Sequence, residues 1–227
     1  MLWLDWQEQL DELAAVSEAA AAAATDLDAP VEHCPGWSVG NLVSHLADVQ
    51  WFWAEGVTKR IVDGDLVQRP TGMPEGVDPV VYLRTQTERL LAGLADVDAT
   101  TPLWTWFEPQ QHAGFVLRRQ LLEATVHAWD IENATQEPYD VSVEVAVLGL
   151  EEFVEVMALN LVDDQKASPA ALALEPTDSD WTRTLFGEAA PILRLQAPAS
   201  DLLLLLWGRH EAGDSRIGEA LANIDVS

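Results

Sequence analysis

The sequence is poor in cysteine and in basic residues, and each shortage argues against a class of protein. Cys34 is the single cysteine among 227 residues, so the chain cannot form an intramolecular disulfide, and we expect a reducing, cytoplasmic location. Twelve lysines and arginines face 38 aspartates and glutamates, which gives a formal net charge of −26. Nucleic acid and anionic membrane surfaces are therefore not expected partners, because they require a basic patch.

Long hydrophobic runs are also missing. The leucine run at 202–206, extended by Trp207, is much shorter than the roughly 20 apolar residues of a membrane-spanning helix. The start of the chain, residues 1–5, has neither the basic region nor the apolar region of a signal peptide. Hydrophobic residues still make up 48% of the chain, so we expect a globular protein with a substantial core.

Helical patterns occupy the first 135 residues. Apolar residues recur at helical spacing in four stretches, at about 4–24, 38–53, 78–95 and 115–134. Ser38 is a suitable N-cap for the second helix, and Asp78 followed by Pro79 marks the start of the third. Loops rich in proline and glycine separate the stretches, and this arrangement is typical of an antiparallel four-helix bundle.

The character of the sequence changes after residue 138. A fifth helix is expected at about 142–161, and period-two patterns beginning at Ala171 and Ile192 predict strands, with a turn at 178–180. A leucine-rich helix then runs from about Pro198 to Trp207. The sequence thus predicts a mostly α protein, with a four-helix bundle over residues 1–138 and a small α+β domain over residues 139–227.

One segment of the fourth helix carries the residues with the clearest chemistry. Glu123, His127 and Asp130 stand at positions i, i+4 and i+7, and such residues share one stripe of a helix. His45 lies in the second helix. If the two helices face each other, His45, Glu123 and His127 form a metal site of two histidines and one carboxylate, with a position open for an outside ligand.

Periodicity alone favours a different interpretation of this segment. The fourth helix has an apolar stripe on another face, which consists of Phe115, Leu122, Val126 and Trp129. By that pattern, Arg119 and the polar stripe at 123, 127 and 130 are the solvated face of the helix, with charge pairs at i and i+4. His45 lies at the flank of its own apolar stripe, where a core histidine with satisfied hydrogen bonds is the ordinary finding.

The remaining candidate side chains are weaker. His33, His112 and His210 fall in predicted loops or at helix ends, and each is expected to be a loop residue rather than a ligand. Cys34 is either a soft ligand, a nucleophile or a buried structural thiol, and the pattern favours the structural thiol.

Three motifs, in order along the chain, resemble the mycothiol-dependent maleylpyruvate isomerase family. The first is Pro35-Gly36-Trp37-Ser38 followed by a helix with Leu-Val-x-His-Leu, in which the histidine is His45. The second is Glu-x-x-x-His-x-x-Asp, at 123–130, and the third is the leucine-rich run at 199–209. The resemblance covers the whole chain.

The resemblance implies a fold, a cofactor and a set of ligands. It implies a DinB-like four-helix bundle followed by an α+β domain, and a divalent metal, usually zinc, held by His45, Glu123 and His127. Asp130 would orient a ligand or make a plain structural hydrogen bond. Mycothiol, a sugar thiol, would occupy the open metal position as a thiolate, add to the double bond of maleylpyruvate, and leave after bond rotation to give fumarylpyruvate.

The substrate is less well defined than the metal. Arg209 matches a position at the end of the family's C-terminal helix, and with Asp130 it is our candidate catalytic residue. Arg84 and Arg119 are further candidates for binding a carboxylate, with a surface ion pair as the alternative for each arginine. Mycothiol S-transferases and non-catalytic metal-binding relatives are the alternative functions. Four tryptophans are either pocket or core residues, namely Trp51, Trp53, Trp104 and Trp106.

Overall fold

The chain divides into two compact units, which cover Leu4–Tyr139 and Asp140–Ser227. The structure is a computed structural model, and it describes residues 4–136, 140–158, 168, 170–187 and 191–222. The first unit is helical, and the second contains a small sheet together with helices. The predicted mostly α fold, a helical bundle and a small α+β region, is confirmed.

The N-terminal unit is a bundle of four α-helices within residues 4–136. They are α1 (Trp6–Ala23), α2 (Val39–Thr58), α3 (Pro79–Ala95) and α4 (Ala113–Thr135), with a 3₁₀ turn at Gly64–Leu66. Helices α1 and α2 each pack against both α3 and α4, which closes the ring of four. Each helix buries its apolar side in the shared core, and Leu13, Leu42, Leu83 and Leu117 are fully buried.

Side-chain caps determine where these helices begin. Ser38 accepts a hydrogen bond from the backbone N–H of Asn41, whose side chain accepts one from the N–H of Ser38 in return. Asp78 caps α3, and Pro79 occupies its first position as expected. His112, expected in a loop, is the N-cap of α4 and accepts from the N–H of Phe115 through Nδ1.

A buried polar network links three helices of the bundle. The Gln50 amide donates to the Ser17 hydroxyl at 3.0 Å and accepts from the Thr87 hydroxyl at 2.6 Å. All three side chains are buried, and burial of polar groups is tolerated because each has a partner. The network therefore fixes α1, α2 and α3 against one another at one level of the bundle.

The C-terminal unit consists of a three-stranded sheet and short helices. Helix α5 (Val143–Glu152) continues into a π-helical turn (Phe153–Met157), and the predicted end of this helix, at 159–161, lies outside the described residues. The other elements are β1 (Ala171–Leu174), β2 (Arg183–Leu185), β3 (Ile192–Leu195), α6 (Ala199–Leu206) and α7 (Ser215–Leu221). The strand order is β2-β1-β3, with β1 antiparallel to β2 and parallel to β3.

Among the described elements of this unit, β2 and α7 were not predicted. Strand β2 has three residues, of which Arg183 and Thr184 are exposed and only Leu185 is buried. So short a segment gives no readable alternation. In the described part of the chain, no helix is long and apolar enough to cross a lipid bilayer.

Candidate metal centre

Helices α2 and α4 bring His45, Glu123 and His127 together. His45 Nε2 lies 3.3 Å from Glu123 Oε1, and His127 Nε2 lies 3.4 Å from the same oxygen. The two helices run in opposite directions here, because Trp53 contacts Phe115 two turns further along the pair. The antiparallel packing therefore places one histidine of α2 beside an i, i+4 pair of α4.

The three facing atoms have the spacing and the chemistry of a metal site. Two imidazole nitrogens and one carboxylate oxygen, all within 4.8 Å of one another, form the set. Ligand atoms about 2.0–2.1 Å from a tetrahedral zinc lie about 3.4 Å apart, which matches the two nitrogen–oxygen distances of the cluster. The His45 side chain is 34% exposed, whereas those of Glu123 and His127 are 18% and 14% exposed, so the cluster is partly open to solvent on the His45 side.

Arg119 binds the second oxygen of Glu123. It lies one helical turn before Glu123, and its Nη2 donates a short hydrogen bond to Glu123 Oε2. The Arg119 side chain is 8% exposed, so this ion pair is shielded from solvent. The contact leaves Oε1 of Glu123 facing the two histidines.

Asp130 binds the other nitrogen of His127. Asp130 Oδ2 lies 3.0 Å from His127 Nδ1, and the Asp130 side chain is fully buried. A carboxylate that accepts from Nδ1–H fixes the tautomer and the orientation of the ring, and leaves Nε2 as the acceptor or ligand atom. Asp130 thus has the geometry of an orienting group for His127.

These contacts shift two pKa values in opposite directions. Burial alone would raise the pKa of Glu123, but the Arg119 charge and hydrogen bonds to His127 and His45 hold it well below its usual range. Burial alone would lower the pKa of His127, but hydrogen bonds to Asp130, Cys34 and Glu123 hold it well above its usual range. Both shifts favour the charged form of the side chain concerned.

The prediction from periodicity that the polar stripe of α4 is a solvated face is wrong. Arg119 is 7% exposed and Asp130 is 1% exposed, and Glu123 and His127 are only partly exposed. The apolar residues Leu122 and Val126 are also buried, so α4 is covered on both faces. Amphipathic periodicity fails for a helix that is enclosed on all sides, since it assumes that one face meets water.

A loop before α2, residues 31–37, completes the surroundings of the cluster. We call it the Cys34 loop. Its backbone closes on itself, with Val31 N–H donating to Trp37 O at 3.0 Å and Trp37 N–H donating to Cys34 O at 2.9 Å. Gly36 has a φ of +84°, which favours glycine at this turn. The loop places the exposed Trp37 ring edge-on to His45, with 5.1 Å between ring centroids.

Cys34 lies next to the cluster, which the sequence did not predict. Its Sγ lies 3.8 Å from Asp130 Oδ2, and the residue is half-buried rather than buried. His33 of the same loop lies against Trp129, with ring centroids 5.5 Å apart. The Pro-Gly-Trp motif directly after Cys34 was the available signal, because it marks a tight turn that leads into the helix of His45.

Three other predicted side chains are described by their own contacts. Arg84 makes an exposed two-point ion pair with Glu18, which was the alternative considered for it. Arg209 follows α6 in the C-terminal unit and donates to Trp207 O at 2.6 Å, and its catalytic role stays a prediction. His210 lies 3.8 Å from Asp201 at an exposed position.

The four tryptophans differ in exposure. Trp53 is buried in the bundle, whereas Trp106 is 39% exposed. Trp51 and Trp104 are partly exposed. Trp104 and Trp53 line a cavity of only about 10 Å³, too small for a substrate.

Comparison with known protein families identifies the bundle. The model of the family described as mycothiol maleylpyruvate isomerase N-terminal domain matches residues 6–132. The match contains His45, Glu123 and His127 and spans more than half of the chain. No curated protein and no solved structure matches the chain. The chain therefore belongs to the mycothiol maleylpyruvate isomerase family, as its three motifs predicted.

Proposed function

We propose that this protein is a mycothiol-dependent metalloenzyme that acts on a small electrophilic substrate. The observation that carries the proposal is the convergence of His45 Nε2, Glu123 Oε1 and His127 Nε2 at distances that suit a tetrahedral cation. Membership of the family supports mycothiol as the thiol. Zinc is the proposed cation, because imidazole and carboxylate donors suit it.

Each residue of the cluster has a distinct role in this proposal. His45 and His127 bind through Nε2, and Asp130 keeps the proton of His127 on Nδ1. Glu123 binds through Oε1, because Arg119 occupies its other oxygen. A divalent cation held there supplies a Lewis acid that stabilises a ligating thiol as its thiolate at neutral pH.

Charge balance favours an anionic thiol at this position. The three proposed ligands contribute one negative charge, that of Glu123, and the buried Arg119 guanidinium neutralises it. The partial exposure of His45 leaves this side of the cluster open to a thiol from solvent. The Asp130 carboxylate behind His127 adds one more negative charge, so a bound divalent cation would keep a net positive charge that attracts an incoming anion.

The proposed reaction is cis–trans isomerisation about an activated double bond, as for maleylpyruvate. The thiolate sulfur forms a bond to one alkene carbon, and the electron pair moves to the conjugated carbonyl. Rotation about the resulting single bond and expulsion of the thiolate restore the double bond in the trans form. The thiol is regenerated, so no oxidant or reductant is needed. Arg209 remains our candidate catalytic residue, whereas Asp130 acts through His127 and is therefore a candidate positioning residue.

A turnover assay tests the proposal. Zinc-loaded protein is mixed with mycothiol and maleylpyruvate, and both the isomer ratio and the free thiol are measured. We expect isomerisation with no loss of thiol, and loss of activity in His127→Ala. His112→Asn is the matched control. His112 is the N-cap of the same helix and is not part of the cluster, and asparagine keeps an acceptor for the N-cap hydrogen bond.

The same assay separates the alternative functions. Consumption of thiol in step with an electrophile, from a panel that includes alkyl halides and epoxides, identifies an S-transferase instead of an isomerase. Failure of every substrate with zinc-loaded protein would mean a non-catalytic relative and would overturn the proposal.

A further inference from the structure

His127 has a second set of potential ligands on its opposite side. Cys34, Asp130 and His127 each offer one ligand atom, and the three atoms lie within 4.8 Å of one another. Sγ is 3.8 Å from Oδ2, and Nδ1 is 3.0 Å from Oδ2. This set shares only His127 with the first, and it uses the other ring nitrogen.

We propose that Cys34, Asp130 and His127 form a second cation site, which takes a soft divalent ion such as Cd²⁺ and also Zn²⁺ in excess. Thiolate ligands select soft ions, and a cysteine, a histidine and a carboxylate are all known zinc ligands. In a tetrahedral zinc site, sulfur at about 2.3 Å and oxygen at about 2.1 Å from the ion lie about 3.6 Å apart. The 3.8 Å between Cys34 Sγ and Asp130 Oδ2 needs only a small adjustment.

The surroundings hold this set in place before an ion arrives. The Asp130 side chain is fully buried on α4, and the hydrogen-bonded turn of the Cys34 loop fixes the cysteine. Cys34 is half-buried, so an ion can reach it. Binding replaces the thiol proton, which passes to solvent, and the thiolate and the Asp130 carboxylate together balance the two positive charges.

The two sites compete for one imidazole. A neutral histidine offers one ring nitrogen as a ligand while the other carries the proton. As a neutral ring, His127 therefore serves either the His45 site through Nε2 or the Cys34 site through Nδ1, one at a time. A soft ion in the Cys34 site removes a ligand from the His45 site and inhibits the enzyme. This competition rests on the proposed function, whereas the Cys34 site itself does not.

Cadmium titration tests the Cys34 site directly. A thiolate bound to Cd²⁺ gives an ultraviolet charge-transfer band, and any such band reports Cys34, because the chain has no other cysteine. In His45→Ala, which lacks the first site, we expect the band to saturate at about one Cd²⁺ per chain, as one three-ligand site implies. Cys34→Ser should abolish the band and still bind zinc through the first site.

A ligand variant and a protection assay complete the test. We expect Asp130→Asn to lower the cadmium affinity, read from titration of the band, about 10-fold or more. In the unmodified protein, Cd²⁺ should slow alkylation of Cys34, a measurement that depends on no variant folding. No band and no protection in the unmodified protein, or a band of full affinity in both Asp130→Asn and His127→Gln, overturns the proposal. Loss of zinc binding in Cys34→Ser, with the cadmium band intact in His45→Ala, would instead count against the His45 site.

Discussion

At the scale of single residues, each polar side-chain atom of Glu123 and His127 contacts a partner within the cluster. Glu123 directs Oε1 to the two histidines and Oε2 to Arg119, while His127 directs Nε2 to Glu123 and Nδ1 to Asp130. Such outer contacts orient ligands, and their loss typically costs about 10- to 100-fold in metal affinity. The supporting residues are therefore as testable as the ligands.

Arg119→Met tests the support of Glu123. The variant removes the partner of Oε2, so Glu123 can rotate, and we expect zinc affinity to fall about 10-fold. Competition with a chromophoric chelator measures it. Arg119→Lys should recover part of the loss, because it restores the charge without the fork.

Arg118→Met is the matched control for this prediction. Arg118 is the neighbouring arginine on α4, and its guanidinium donates to the side-chain oxygen of Gln110. We expect its zinc affinity to equal that of the unmodified protein. Equal zinc affinities of Arg118→Met and Arg119→Met would show that the contact of Arg119 with Glu123 does not contribute to zinc binding.

Proton release on metal binding tests the state of His127. Hydrogen bonds to Asp130, Cys34 and Glu123 hold the pKa of His127 above the ordinary histidine value of about 6.5, which favours a protonated ring in the metal-free protein. A cation binds the neutral ring, so binding releases that proton and affinity falls as pH falls. Calorimetry at pH 7 in buffers of different ionisation enthalpy should give about one proton per ion.

The same proton affects the stability of the metal-free protein. Because the pKa of His127 is higher in the folded state than in the unfolded state, protonation of His127 stabilises the fold. This contribution is fully present below the unfolded-state pKa of about 6.5 and is lost as pH rises through the folded-state pKa.

Asp130→Asn tests the cause of the raised pKa. The variant removes a hydrogen bond that raises the pKa of His127, so metal binding should release fewer protons. Metal binding without any proton release contradicts the prediction.

At the scale of elements, the start of α2 connects the Cys34 loop to His45. The capping box of Ser38 and Asn41 lies between them. We expect Ser38→Ala to lower the free energy of unfolding by about 1 kcal/mol, because the N–H of Asn41 loses its acceptor. Urea denaturation measures the change. Ser44→Ala is the control, since its hydroxyl only donates to Gly40 O within the helix, and a larger loss there would contradict the assignment.

The helices could be predicted from sequence because their signals are local. Ser38, Asp78 and Pro79 mark helix starts by chemistry that acts within one turn. Strand β2 could not be predicted, because three residues contain too little alternation to distinguish a strand from a loop. Its pairing with β1 depends on contacts between distant parts of the chain.

The candidate site was predictable only in part, for a related reason. The spacing of Glu123 and His127 gave the shared stripe, but burial of that stripe depends on how α4 packs against α1 and α2. Periodicity assigned the stripe to solvent, and only the resemblance reversed that assignment. Nothing local indicated that Cys34, 96 residues before Asp130, would lie beside it.

At the scale of the whole molecule, the net charge of −26 opposes folding through self-repulsion. Salt screens repulsion between surface charges, with a screening length of about 30 Å at 0.01 M and about 10 Å at 0.1 M. We expect the midpoint of thermal unfolding to rise by several degrees between these concentrations of sodium chloride. A non-ionic osmolyte of equal osmolality is the control, and a midpoint that falls with salt contradicts the prediction.

The central claim is that a cation held by His45, Glu123 and His127 binds the thiol of mycothiol. Calorimetric titration of mycothiol into zinc-loaded and zinc-stripped protein tests it most directly. We expect binding at about one thiol per chain to the zinc-loaded protein, as one open position implies, and none to the stripped protein or to zinc-treated His127→Ala. Equal binding to the loaded and stripped proteins would contradict the claim.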